Sequence, residues 1–204
     1  MRTIRVTAVG AALLVSTAIA AQGSGAVTPK RHVNASKPTK LPSNATKTAP
    51  ATAAPVDSGT KVNEFLSYDA AAKTVALKLF AAHGSVNGGM NFNGASNGSA
   101  TITVPVGWTV SWSFKNEDAI PHSAIVLANK MPFPAQPQDP AIPRAYTDNV
   151  TGGLPTNGTD QTTFKASPAA QYVIACGVPG HAPSGMWINF VVSADAKAPT
   201  YTSK

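Results

Sequence analysis

The chain has a single cysteine among 204 residues. No intrachain disulfide can close, and in an exported protein a leftover thiol serves an intermolecular bond or a function of its own. Charged residues make up only 12% of the sequence, and the formal net charge of +7 is unevenly placed. Residues 1–61 carry eight Lys/Arg against one acid, Asp57, whereas residues 62–204 carry eight against eight. The larger part is near neutral, so the overall basicity does not describe a nucleic-acid-binding face. Histidines number four, too few for a chain built on several metal clusters. The apolar run at 6–20 falls short of the roughly 20 residues that a membrane-spanning helix needs.

What is abundant is turn chemistry, with 16 glycines and 17 prolines. The length suits one well-buried domain and a tail, and the composition suits an all-β domain. Arg2 and Arg5 precede the apolar run 6–20, and Ala18-Ile19-Ala20 offers a cleavage site, so residues 1–21 read as a signal peptide or a retained membrane anchor. Residues 22–61 are rich in Ala, Thr, Pro and Lys and cannot bury enough surface to offset their ordering entropy; they read as a disordered linker with a reach of roughly 35 Å. Residues 62–204 read as the folded domain. The expected location is therefore exported, periplasmic or at the outer face of the cytoplasmic membrane. Asn34, Asn44, Asn97, Asn149 and Asn157 match glycosylation sequons.

Within the domain, apolar residues recur with period two. Val75, Leu77 and Leu79 share a phase, as do Ile102, Val104 and Val106, then Trp108, Val110, Trp112 and Phe114. That is the pattern of antiparallel sheet with one buried face. A strand over 120–127 sets His122 in phase with Ile120, Ala124 and Val126. Residues 128–160 read as a long loop with six prolines, a candidate partner surface near one pole. Further strands over 171–176 and 186–192 place Cys176 and Met186 on inward phases. About eight such strands imply a two-sheet sandwich.

Chemistry concentrates in CGVPGHAPSGM (176–186). Cys176, His181 and Met186 are each separated from the next by four residues, and His122 lies 54 residues upstream of Cys176. A thiolate, two imidazoles and a weak thioether are the donor set of a mononuclear copper electron-transfer site, acceptable to both Cu(I) and Cu(II). Gly180, Pro179, Pro183 and Gly185 shape the loop that would aim them. Taken singly, a buried Cys or Met is more often plain core; the combination is specific. His32 and His83 read as solvent-facing, and Met90 and Met131 as core or rim packing.

Three stretches, NFNGASNGSATITVPVGW (91–108), PHSAIV (121–126) and CGVPGHAPSGMW (176–187), resemble the sulfocyanin and rusticyanin branch of the cupredoxin superfamily. The resemblance covers roughly residues 62–193. It implies a Greek-key sandwich and one type 1 copper, held by His122, Cys176 and His181 with Met186 axial. It also implies that Ser123 hydrogen-bonds across to the cysteine loop. The implied function is single-electron shuttling by a monomer between redox partners such as a cytochrome or a terminal oxidase. The alternative is a copper storage or delivery module without redox shuttling. An enzyme using Cys176 as nucleophile and His181 or His122 as base lacks an evident third group to orient the base.

Overall fold

A computed structural model describes residues 59–136 and 138–204. The leader read over 1–21 and all but the last three residues of the linker read over 22–61 lie outside the described residues. Among those described, no helix is long and apolar enough to cross a membrane.

Among the described residues, ten strands form two five-stranded sheets. The first sheet runs β1 (Thr60–Lys61), β2 (Leu66–Asp69), β3 (Thr74–Ala81), β5 (Thr109–Asn116), β7 (Thr159–Lys165). The second runs β10 (Thr200–Ser203), β4 (Ala100–Pro105), β9 (Trp187–Ser193), β8 (Ala170–Ala175), β6 (Ile125–Ala128). The alternation in β3, β4 and β5 does put Val75, Leu77, Leu79, Ile102, Val104, Val110, Trp112 and Phe114 into one core, together with Phe190 and Ile188 from β9. Edge-to-face contacts of Phe164 with Trp112 and with Phe190 tie the two sheets together across it.

The structure departs from the sequence reading in several places. The sheets are mixed rather than antiparallel, because β3 pairs parallel with β5 and β4 parallel with β9. Side-chain alternation reports which face is buried and carries no information about strand direction. Thr60 and Lys61, assigned to the linker, form an edge strand held by pairing to Tyr68 and Ser67. Both are exposed, so no apolar phase marks them. Val106 is 40% exposed, since the chain has already left β4 for the turn at Gly107.

The strand expected over 120–127 begins only at Ile125. Pro121 has no N–H for a ladder, and the buried Asn116 side chain donates to the carbonyls of Ile120 and Leu154, holding the chain in a turn. Ile120 is 42% exposed as a result.

The proline-rich segment is mostly structural. Its stretch 141–147 runs beside β6, with Ala141 N–H donating to Val126 C=O, Val126 N–H to Ala145 C=O, and Thr147 N–H to Ala124 C=O. Arg144 Nε donates to Thr163 C=O, and Thr162 Oγ1 donates to Arg144 C=O, so the same stretch also grips β7. Ile142 and Ala145 are buried in the main core. Phe133 covers a second cluster of Ile125, Leu127, Val173, Ala175 and Ala182 on the outer face of the second sheet. β6 and β8 are thus buried on both faces, which is why IVLA and YVIA are continuous apolar runs. Met131, by contrast, is 63% exposed and does not pack.

Ile142→Ala should therefore cost about 2–5 kcal/mol in denaturant unfolding, while Met131→Ala should stay within about 0.5 kcal/mol of the parent. An Ile142→Ala protein of parental stability would show that the segment is not part of the core.

Candidate metal centre

The loop 177–185 joins β8 to β9 and is shut at its base. Cys176 N–H donates to Met186 C=O at 3.0 Å, and Met186 N–H donates to His181 C=O at 3.1 Å. Outside, Gly180 N–H donates to Ala135 C=O, so the proline-rich segment props the loop from its far side. Within it, His181 N–H donates to Val178 C=O and Ser184 N–H to Gly180 C=O. His181 is consequently held by its backbone on both sides.

His122 arrives from the other direction. Its N–H donates to Leu154 C=O and its C=O accepts from Leu154 N–H, an isolated two-residue bridge that fixes the backbone where no strand exists. The side chain is fully buried.

These constraints bring three donor atoms together. His181 Nδ1 lies 3.2 Å from His122 Nδ1 and 3.4 Å from Cys176 Sγ, and His122 Nδ1 lies 3.9 Å from the same sulfur. Three atoms so spaced sit on a circle of radius about 2 Å, close to the roughly 2.0–2.3 Å at which imidazole nitrogen and thiolate sulfur bind a first-row metal ion. The trio His122, Cys176, His181 is the metal-capable cluster among the described residues. Met186 is wholly buried at the mouth of β9, in the core cluster that also holds Cys176.

The surroundings set the protonation. Asp118 Oδ2 lies 3.0 Å from His122 Nε2. An ionised carboxylate only accepts, so Nε2 carries the proton and Nδ1 presents a lone pair to the cluster. The hydrogen bond from His122 holds the Asp118 carboxyl below its ordinary range. Desolvation, and then the neighbouring His122, push His181 below the usual imidazole range, keeping it neutral and able to bind metal. Burial pushes the Cys176 thiol up, partly opposed by hydrogen bonds from the backbones of Ser123 and Val178. A metal must displace that proton to bind the sulfur. The direction also speaks against a nucleophile, which needs a lowered thiol pKa and access. Asp118 is the third orienting group that the sequence reading found missing, yet the thiol it would serve is only 2% exposed.

Ser123 acts as expected. Its N–H donates to Cys176 Sγ at 3.4 Å; its hydroxyl donates to Val150 C=O at 2.6 Å and accepts from Gly177 N–H at 3.0 Å. One side chain thereby links the histidine segment, the cysteine loop and the proline-rich segment. His83 is only partly solvent-facing: its Nδ1 lies 2.9 Å from Glu117 Oε2, and its ring packs against Phe65 and Phe80. His32 lies outside the described residues. Ala182, between His181 and Pro183 in the same loop, is buried in the second cluster.

With this geometry in view, the family comparison is decisive. The family described as the sulfocyanin (SoxE) domain matches residues 61–203. The chain belongs to the sulfocyanin family. Sulfocyanin of Sulfolobus acidocaldarius is 34% identical over 139 residues, covering 65% of this chain and 70% of that protein. Among solved structures, a crystal structure of rusticyanin variants matches at 23% identity and a TM-score of 0.45, over 66% of this chain and 86% of that one. Auracyanin A, a "blue" copper protein from Chloroflexus aurantiacus, matches at 23% identity and a TM-score of 0.43, over 59% and 99%. This sulfocyanin-family chain is accordingly a blue copper electron-transfer protein of the cupredoxin class, with copper as its cofactor.

Gly177 is where the clamp is tightest. A Cβ there would clash with Val150 Cγ1 and stand 3.0 Å from Val150 O, the carbonyl that Ser123 uses. Gly177→Ala should cost about 1–3 kcal/mol of stability and perturb the copper spectrum, and Val150→Ala in the same chain should recover part of the loss. An unchanged melting temperature and spectrum in Gly177→Ala would show that the clamp does not hold the cysteine loop.

Proposed function

We propose that this protein is an exported one-electron carrier, working in the periplasm or at the outer face of the cytoplasmic membrane. It would take electrons from one respiratory protein and pass them to another, such as a cytochrome or a terminal oxidase. Residues 1–21 serve in this reading as a cleaved signal or a retained tether. His122, Cys176 and His181 are the strong ligands, and Met186 is the weak axial one.

The observation that carries the reading is the unequal burial of two imidazoles that share one triangle. His122 is fully buried, whereas His181 is half-buried in a loop at the surface. Copper supplies the one-electron couple; everything else falls to the chain. Backbone hydrogen bonds at each ligand resist movement between oxidation states, which keeps reorganisation small. His181 offers the short route from sulfur and metal to a partner, and the exposed Pro179 and Pro183 flank it. A small uncharged rim of this kind suits brief encounters with low buried area.

Two outcomes test this. Pro183→Glu should leave the reduction potential and spectrum unchanged but slow electron delivery to a purified terminal oxidase about tenfold or more, because docking would have to desolvate an unpaired carboxylate at the rim. An unaffected rate would move the docking face elsewhere. Met186→Leu should keep copper and colour while shifting the potential, since the axial donor tunes it; an unshifted potential would remove Met186 from the copper.

A further inference from the structure

We propose that Asp118 is a positioning residue for the copper couple: its carboxylate holds the Nε2 proton of His122, and its negative charge favours the oxidised site over the reduced one. The proposal rests on His122 being a copper ligand.

The carboxylate is built in rather than incidental. Its Oδ2 accepts from His122 Nε2 at 3.0 Å and its Oδ1 accepts from Ala119 N–H at 2.6 Å. The backbone N–H of Asp118 is itself pinned by the side-chain oxygen of Asn116 at 2.9 Å, and Asn116 is fully buried. On the far side, Gly89 leaves the space the carboxylate needs: a Cβ at that position, where φ is +89°, would stand 2.7 Å from Asp118 Oδ2. The Asp118 side chain is 24% exposed and that of its histidine partner is 0%. The carboxylate is therefore partly withdrawn from solvent, and its charge reaches the site through a fully buried imidazole.

The consequence follows from charge. One-electron reduction turns Cu(II) into Cu(I) and adds one negative charge to the centre, with no proton or bond exchanged. A fixed anion one imidazole away opposes that change. The same hydrogen bond raises the basicity of Nδ1, as carboxylate–histidine pairs do at other metal centres, where removing the carboxylate costs about 10–100-fold in metal affinity. Among the described residues, the His181 ring meets Cys176 and His122 and no carboxylate. The two imidazoles are thus electronically distinct.

The test compares Asp118→Asn and Asp118→Ala with the parent. Asp118→Asn keeps an oxygen acceptor and loses the charge. It should retain the blue band and shift the Cu(II)/Cu(I) equilibrium about tenfold toward Cu(I), a rise of about 59 mV for a one-electron couple. Asp118→Ala should in addition weaken Zn(II) binding about tenfold or more and let metal-free His122 populate its Nδ1–H form, read by nitrogen-15 NMR. A merely structural residue would change melting temperature and leave the tautomer and potential alone. The metal-free parent supplies a measurement that needs no variant: His122 should be protonated at Nε2. Parental potentials in both variants, or an Nδ1–H His122 in the parent, would overturn the proposal while leaving the copper site standing. A parent with no blue band would instead remove the reading on which it rests.

Discussion

The Ser123 hydroxyl is the interaction on which the site depends. It donates to Val150 C=O and accepts from Gly177 N–H, while the backbone N–H of the same residue points at Cys176 Sγ. Three segments far apart in sequence are tied within one residue of two donor atoms. Buried polar groups of this kind are costly unless every one is satisfied, and here they are satisfied by each other. A shift of any one segment would leave a donor or acceptor unpaired in the interior. The donor triangle is thus fixed by the same bonds that hold the pole of the sandwich together.

The proline-rich segment enters the account for the same reason. A cysteine loop standing alone at the end of two strands would move freely. The bond from Gly180 N–H to Ala135 C=O and the packing of Phe133 on Trp187 restrain it from outside. The copper pole is consequently a double-walled structure, with the main core behind Cys176 and Met186 and the second cluster beneath Ala182. Ligand segments held by backbone hydrogen bonds suit a couple that changes charge without changing shape.

Much of this was legible in the sequence, for reasons that differ by residue. His122, Cys176 and His181 carry chemistry that few positions in a neutral β domain need, and Cys176 falls on the inward phase of a clear strand. The sandwich followed from the alternation in 74–80 and 101–115. What stayed hidden lacked periodicity. β7 buries only Thr162 and Phe164, so TDQTTFK reads as polar loop. Ile142 lies among prolines, with no neighbour in phase. The bridge that holds His122 is made by backbone atoms of Leu154, which no side-chain pattern reports. Asp118 sits in NEDAIPH, where an acid before a turn is ordinary; only the fold reveals that its carboxylate meets a histidine ring four residues on. Parallel pairing of β3 with β5 was equally invisible, since it is a property of connection rather than of face.

The central claim is that one buried thiolate and two imidazoles make a reversible copper centre in this chain. Its most direct test is a visible-absorption titration of the purified protein with Cu(II), followed by ascorbate and then by reoxidation. The account predicts an intense blue band that saturates at about one equivalent, bleaches on reduction and returns in full, the signature of a copper–thiolate site in a constrained geometry. Copper taken up without colour, or colour that does not return, would contradict it and leave a storage or delivery role as the better description of the same residues.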